Sequence, residues 1–215
     1  MAASSAEKRE VTVEQNITAE CVQTSSRCLW LNAGRESKRW MESQVELVTG
    51  IDPGTTHSGW VTLDGMDVVE AGYDENETLA SMIRDMKFAN QTIGIEMIAS
   101  YGMPAGESLF ETVYWIGVFD ECSSSGMVKN FYKIYRKQDR EFPGVCMYIC
   151  KNNKAKDANI KRAILDMYEP TGGGAEGRVG TKKEPGPLFK LKGLSHCWQA
   201  MAVAITCRDN LSNLT

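Results

Sequence analysis

The pattern of apolar and polar residues along this chain is irregular up to about residue 47 and periodic after it. The periodic part predicts one α/β domain. Short apolar runs at about 47–52 and 59–64 are typical of strands. The dipeptide Asp64-Gly65 favours a hairpin and leads into a third strand at 67–72. Three strands joined by two tight turns predict an antiparallel meander.

The residues that follow the meander have a helical period. Between Glu75 and Lys87 the apolar positions recur three or four residues apart, which predicts one amphipathic helix. The run 92–97 predicts a buried strand. Because a helix joins this strand to the meander, we expect it to lie parallel to the first strand. Apolar positions between 109 and 117 predict a second helix that packs on the sheet.

The second half of the domain is predicted to contain two strands, two helices and a long loop. The strands are expected at about 131–137 and 145–150, on either side of a polar turn. A helix should end near Tyr168, and the Gly-rich, basic residues 170–193 predict a mobile surface loop. The final helix is expected at about 195–208, where several alanines permit close approach to the sheet.

The composition is that of a globular protein, with 215 residues, 42% hydrophobic and 24% charged. No apolar run approaches the roughly 20 residues of a membrane span. Seven cysteines without a Cys-x-x-Cys pair favour a reducing compartment, which predicts a cytoplasmic rather than a secreted protein. For Cys146 and Cys150, which share an apolar run, core packing is favoured over zinc binding.

The domain boundaries follow from the same change of pattern. Residues 1–44 are mixed and polar without a sustained period, and they predict a disordered N-terminal extension. The folded domain is expected at 45–210, and residues 211–215 are expected to form a tail.

The net charge of −4 conceals a polarised chain. Residues 129–192 contain 15 Lys and Arg against 7 Asp and Glu, so this segment carries +8 and the rest of the chain carries −12. An ordinary solvent-exposed surface is one explanation for this uneven distribution of charge. It also suits a protein that places acids at a metal site and bases along a phosphate track.

Two acids are predicted to meet at one edge of the sheet. Asp52 ends the first strand, directly before the turn residues Pro53 and Gly54, and Glu96 lies near the end of the predicted parallel strand. Two neighbouring buried carboxylates are costly unless a cation neutralises them, so this pair predicts a divalent-metal site. The alternatives are an ordinary Asp-Pro-Gly turn and a salt-bridged strand end.

The final helix offers a third candidate ligand for the metal. With Ser195 as its N-cap, His196 falls in the first turn, where the helix dipole favours the neutral imidazole that metal binding requires. Gln199 lies on the same face of the helix. A packed, hydrogen-bonded core histidine is the alternative interpretation.

Six segments in this order resemble the RuvC-type Holliday junction resolvases of the ribonuclease H-like superfamily, most closely the bacteriophage branch. The resemblance covers about three quarters of the chain. The matching segments are 50–54 with 58–59, 95–97 with 99–104, 110–112 with 115–117, 154–160, 180–183 with 185–188, and 196–204.

The resemblance implies a mixed five-stranded sheet, an antiparallel meander and then parallel strands, flanked by helices. It implies a metal-dependent endonuclease whose catalytic residues are Asp52, Glu96, His196 and Gln199, with Asp52, Glu96 and His196 as metal ligands. Two Mg²⁺ or Mn²⁺ ions would activate water and stabilise the leaving 3′ oxygen. Gln199 stands where relatives have an acid and adds no charge, so we expect the second ion to bind weakly.

The substrate implied by the resemblance is a four-way junction or other branched DNA, cut by a homodimer with one active site for each of two strands. Phosphate and base contacts are expected from Tyr101, Lys154, Lys156, Lys161, Arg162, Lys182 and Lys183. One alternative is a module that binds branched DNA with weak or lost catalysis because of Gln199. A second is an actin- or sugar-kinase-like ATPase, although such enzymes need two domains of this kind.

Overall fold

The computed structural model describes residues 46–214, except 100, 101, 103, 105, 138–142 and 175. The predicted extension at 1–44 and the predicted DNA contact Tyr101 therefore lie outside the described residues. In the described part of the chain, no helix has the length and apolar character needed to cross a membrane.

A five-stranded sheet forms the centre of the domain. The strands are β1 (Val48–Asp52), β2 (His57–Asp64), β3 (Asp67–Glu75), β4 (Thr92–Met97) and β5 (Asn130–Tyr135), in the order β3-β2-β1-β4-β5. The first three strands are antiparallel to one another, whereas β4 is parallel to both β1 and β5. This topology confirms the predicted meander and the predicted parallel crossover.

Helices cover both faces of the sheet. They are α1 (Asn76–Arg84), α2 (Glu107–Ser125), α3 (Val145–Cys150), α4 (Asp157–Met167), α5 (Cys197–Asp209) and α6 (Leu211–Leu214). One core cluster joins α1 and α2 to one face, and a second joins α3, α4 and α5 to the other. The domain is therefore three layers thick, with the sheet in the middle.

The prediction of a strand at 145–150 was wrong, because these residues form helix α3. An apolar run of six residues fits a buried strand and a buried helix turn equally well. The buried residues Val145, Cys146 and Ile149 have the spacing of a helix face. Cys146 is buried without a disulfide, in agreement with a packing role.

The prediction of a mobile surface loop at 170–193 was wrong for its C-terminal part. Phe189–Leu191 form a 3-10 helix, and Leu188 and Leu191 belong to the hydrophobic core. Gly180 also forms an isolated β-bridge with Pro185. Two large apolar side chains anchor this segment, although Gly and Lys dominate its composition.

Helix α5 packs closely on the sheet because the strands present glycine to it. A Cβ on Gly50 would collide with the backbone of Ala200 and Ala204, and a Cβ on Gly94 would collide with Cys207. Alanines on the helix complete the contact. The two glycines and the alanines therefore bring α5 almost into backbone contact with β1 and β4.

Candidate active site

Asp52 is the last residue of β1 and pairs with Gly59 across the β1–β2 hairpin. Hydrogen bonds fix the turn between them. The Ser58 hydroxyl donates to Asn76 Oδ1 at 2.6 Å, and Asn76 Nδ2 donates to the Gly54 carbonyl at 3.0 Å. These two bonds tie the turn to the first residue of α1, and they hold Asp52 at the edge of the sheet.

The register of the sheet brings Glu96 beside Asp52. Strands β1 and β4 run parallel with Ile51 opposite Ile95, and the two acids are the next residues on these strands. Because side chains alternate between the faces of a strand, both acids share the face of the two glycines that contact α5. The carboxylates therefore lie on the side of the sheet that α5 covers.

The first turn of α5 lies above the same edge. Gly59 permits this contact, since a Cβ there would lie 3.0–3.3 Å from backbone atoms of His196 and Cys197. The N-cap of α5 is His196, one residue later than the predicted Ser195. Gln199 is only 7% exposed, and its backbone N–H donates to the His196 carbonyl at 3.2 Å.

The two carboxyl groups perturb each other. Burial raises the pKa of Asp52 well above its ordinary value, and the charge of Glu96 raises it further. Burial also raises the pKa of Glu96, against the opposing charge of Arg136. Removing the protons from both groups is therefore costly unless a cation is close, which is the condition that a metal site satisfies.

Two buried oxygens at this edge have no hydrogen-bond partner: Oε2 of Glu96 and Oε1 of Gln199. Buried polar atoms are normally paired, so these two are free to bind a ligand. The Asp52 carboxylate lies at the end of β1 beside Glu96 at the same edge of the sheet, and carboxylate and amide oxygens are the donors that a hard divalent cation such as Mg²⁺ or Mn²⁺ prefers. Among the described residues, no three His, Cys, Asp or Glu side chains are arranged to hold a metal ion.

Among the residues that the structure describes, the predicted ligand His196 belongs to no cluster of three His, Cys, Asp or Glu side chains that could hold a metal ion. Its ring is exposed and stacks on Tyr73, with centroids 4.7 Å apart, and Tyr73 in turn stacks on His57 at 5.3 Å. His196 nevertheless lines a cavity of about 350 Å³ together with Asp52, His57 and Tyr73. The structure thus places His196 beside the candidate site, and its role as a metal ligand stays a prediction.

Sequence reasoning missed Arg136 and Asp157 as members of the site. Arg136 Nη1 lies 3.4 Å from Glu96 Oε1, and Arg136 also pairs with Asp157, the first residue of α4. The charge of Asp157 acts on both Asp52 and Glu96. The position of Arg136 could have indicated its place, because it directly follows β5, and the carboxyl ends of the parallel strands β4 and β5 lie at the same edge of the sheet.

The predicted phosphate-binding residues lie on the side of the sheet that carries α4 and α5. Lys154, Lys156, Arg162, Lys182 and Lys183 are exposed. The Lys161 ammonium group lies 4.9 Å from the ring centre of Trp198, as in a cation–π contact. Lys161 and Trp198 also line a cavity of about 480 Å³ that reaches Ser195, next to the first turn of α5.

No protein-family model matches the chain, and no curated protein matches it at a significant level. Solved structures do match. One is the RuvC structure of Thermus thermophilus, with TM-score 0.50, 17% sequence identity, and a match over 77% of this chain and 95% of that chain. Another is T. thermophilus RuvC in complex with Holliday junction substrate, with TM-score 0.52, 15% identity, and coverage of 79% and 96%. The chain has a RuvC-like fold. This result confirms the predicted fold class, which is a mixed five-stranded sheet flanked by helices.

Proposed function

We propose that this protein is a structure-selective endonuclease that uses a divalent metal ion to cut four-way junctions or other branched DNA. The observation that carries the proposal is the pair of buried, unpartnered oxygens on Glu96 and Gln199, beside Asp52, at the carboxyl edge of a RuvC-like sheet. One of the similar structures is RuvC with a Holliday junction substrate.

The chemistry of the proposed reaction is hydrolysis of a phosphodiester. A water oxygen forms a bond to phosphorus while the bond from phosphorus to the 3′ oxygen breaks. The water loses one proton and the leaving oxygen gains one, which gives a 5′-phosphate and a 3′-hydroxyl. A bound divalent ion would supply positive charge for the scissile phosphate and acidify the attacking water.

The residues of the chain would hold this ion and exclude bulk water. The Asp52 carboxylate, Glu96 Oε2 and Gln199 Oε1 provide the donor set. Because Gln199 and Glu96 are less than one-tenth exposed, their contacts with an ion would be poorly screened by solvent. His196 is exposed and lines the cavity beside Asp52, so it would contact the bound ion or the substrate from the rim of the site.

The basic residues on the α4–α5 side would bind the DNA backbone. Lys182 and Lys183 follow Thr181, which lines the larger cavity together with Lys161 and Lys192. This surface leads to Ser195 at the start of α5, next to the site. Lysine contacts to phosphate carry little sequence information, so this surface suits recognition of branched shape rather than of sequence.

We also propose a homodimer, because cutting two strands of a four-way junction requires two active sites. Helix α2 offers a surface for a second copy of the chain. Phe110 and Tyr114 are 63% and 64% exposed, and Gly117 continues their stripe at helical spacing. A Cβ on Gly117 would meet no atom within 4 Å, so a second helix has room to approach there.

A second candidate function is binding of branched DNA without catalysis. It is favoured by the neutral Gln199, which adds no negative charge at a position where an acid would strengthen metal binding. This module would use the same basic surface. The two candidates differ in cleavage and not in DNA binding.

The test is incubation of the purified protein with a labelled four-way junction in Mg²⁺ or Mn²⁺. We expect symmetric cuts by the wild type. We expect loss of cutting with retained junction binding in Asp52→Asn and Glu96→Gln. The matched control is Glu70→Gln, an exposed acid that pairs with Lys87 at 2.7 Å, away from the two carboxylates.

Normal cutting by either carboxamide variant would show that the site is assigned to the wrong residues. Junction binding without any cutting by the wild type, unrestored by Gln199→Asp, would favour the binding module. Thermal stabilisation by ATP but not by branched DNA would favour an ATPase instead.

A further inference from the structure

Arg136 follows the end of β5 and extends into the acidic edge of the sheet. Its Nη1 lies 3.4 Å from Glu96 Oε1, and its Nη2 pairs with Asp157 Oδ1. The side chain is 29% exposed. Arginine does not lose its proton in proteins, so this guanidinium is a fixed positive charge beside the two carboxylates that it contacts.

Two helices hold Arg136 in place. The backbone N–H of Cys146, in the first turn of α3, donates to the Arg136 carbonyl at 2.8 Å. Asp157 is the first residue of α4, where the helix dipole stabilises its carboxylate. The start of α4 is fixed in turn by Asn159, whose side-chain oxygen accepts the Lys156 N–H at 3.0 Å. Helix α3 thus fixes the backbone of the arginine, and α4 fixes its guanidinium.

The contact with Arg136 uses one oxygen of Glu96 and leaves the other one unpartnered. Oε1 of Glu96 faces the guanidinium, whereas Oε2 of Glu96 and Oε1 of Gln199 are the two buried oxygens without a partner. The arginine therefore orients Glu96 so that a single oxygen remains for another cation.

We propose that Arg136 is a built-in cation that replaces a second metal ion, so that the site binds one divalent ion through Asp52, Glu96 and Gln199. The inference rests on the proposed nuclease function and specifies its metal requirement. In this arrangement Asp157 is a positioning residue, because it acts by holding Arg136.

The charges of the site favour one ion over two. Asp52, Glu96 and Asp157 carry three negative charges when ionised, Arg136 carries one positive charge, and Gln199 carries none. The two remaining negative charges match one divalent cation. A second divalent ion would give the site a net positive charge beside a partly buried guanidinium, where repulsion is poorly screened. On this proposal the site holds one ion and one arginine, whereas the sequence predicts one ion and a second, weakly bound one.

The experiment is a titration of the full, metal-free chain with Mn²⁺, in which free Mn²⁺ is counted by electron paramagnetic resonance. This readout gives the number and affinity of bound ions without cleavage. We expect one ion for the wild type. Arg136→Gln should bind a second ion, or bind the first about tenfold more tightly, because a neighbouring positive charge is removed. Arg136→Lys should still bind one ion because it keeps the charge.

The matched control is Lys133→Gln on β5, the strand that precedes Arg136. Lys133 pairs with Asp120 at 2.6 Å, and both residues are exposed. We expect its Mn²⁺ binding to equal that of the wild type. For Asp157→Asn, which loosens Arg136 and leaves the arginine charged, we expect a lower kcat for junction cleavage with an unchanged KM. A purely structural role of Asp157 would instead lower the amount of active protein and leave kcat per active site unchanged.

Two Mn²⁺ ions on the wild type would overturn the inference, and so would unchanged binding by a folded Arg136→Gln variant. If Arg136→Gln does not fold, the ion count of the wild type and of Arg136→Lys decides the matter. Junction cleavage by a wild type that binds two ions refutes the role of Arg136 and leaves the nuclease function standing. Absence of both Mn²⁺ binding and cleavage refutes the proposed function itself.

Discussion

The two faces of the central sheet differ in how closely helices approach them. On one face, Ile51, Ile93 and Ile95 pack through large apolar side chains against α1 and α2. On the other face, Gly50 and Gly94 place the backbone of α5 directly against the strands. The acids Asp52 and Glu96 follow these glycines by two residues, so they belong to the close-packed face.

This difference explains how the candidate site can be both polar and buried. Because glycine removes side chains from between helix and sheet, Gln199 in the first turn of α5 is buried near the strand ends. Large apolar side chains would hold the helix further away and admit water to the carboxylates. Apolar packing accounts for the α1–α2 face, whereas the α5 face combines packing with oxygens that have no partner.

The largest expected effect comes from Gly50→Ala, which adds one methyl group to the close-packed face. The new Cβ meets the backbone of α5, which cannot move aside, so we expect a loss of about 3 kcal/mol or more in the free energy of unfolding. On the opposite face, the neighbouring Ile51→Val should cost about 0.5–1.5 kcal/mol. Chemical denaturation measures both. Equal losses would show that the two faces pack alike.

Substitutions on α2 test whether the α1–α2 side carries the dimer interface. We expect Phe110→Glu with Tyr114→Glu to weaken self-association about 30-fold or more, since buried aromatic residues often dominate an interface. Monomer stability should change little, because both side chains are exposed. Analytical ultracentrifugation measures the dimer. The control is Met127→Glu, also exposed at 60%, and a similar loss of dimer there would argue against α2.

The Asp52 carboxylate should destabilise the metal-free protein at neutral pH. Burial and Glu96 raise its pKa in the folded state, so the folded chain holds this proton more tightly than the unfolded chain. Stability should therefore be highest below the unfolded-state pKa of the acid and fall as the pH rises through the folded-state value. Asp52→Asn should raise Tm at pH 8 in EDTA, by about 2–4 °C for each kcal/mol of relieved cost.

The same thermal unfolding series checks the sign of this effect. The wild type should gain stability as the pH is lowered from 8 toward 5, and Asp52→Asn should gain less. The variant should also lose the stabilisation that Mn²⁺ gives the wild type. A lower Tm for Asp52→Asn at pH 8 would mean that the carboxylate is stabilised by neighbours and does not need a metal ion.

The smallest expected effect concerns the exposed lysines on the α4–α5 side. Lys182→Ala and Lys183→Ala should each weaken junction binding a few-fold and reduce the slope of log affinity against log salt by about one. Lys87→Ala, which removes a lysine that pairs with Glu70 and lies over the ring of Trp60, is the control. Fluorescence anisotropy over a range of salt concentrations measures the slope. An equal change in the control would show that DNA binding is not confined to one side.

The local pattern of the sequence was sufficient for most elements and for the meeting of the two acids. Asp52 and Glu96 end apolar runs that a helix connects, and a crossover makes such strands parallel, so their ends must meet at one edge. The run at 145–150 shows where the pattern fails. Six apolar residues are buried whether they form a strand or a helix turn, so periodicity could not decide between them.

The sequence by itself determined the sheet, its crossover and the edge at which the carboxylates lie, because these follow from residue periodicity and chain connectivity. Only the tertiary structure decided which other groups reach that edge. Arg136 and Asp157 are 21 residues apart in the chain and meet only because α3 and α4 fold back over the end of β5. His196 turned out to stack on Tyr73 because the N-cap position leaves its ring exposed at the rim. The direction of a side chain at the end of a helix or strand depends on neighbours that are distant in the sequence. The local pattern of residues therefore does not predict it.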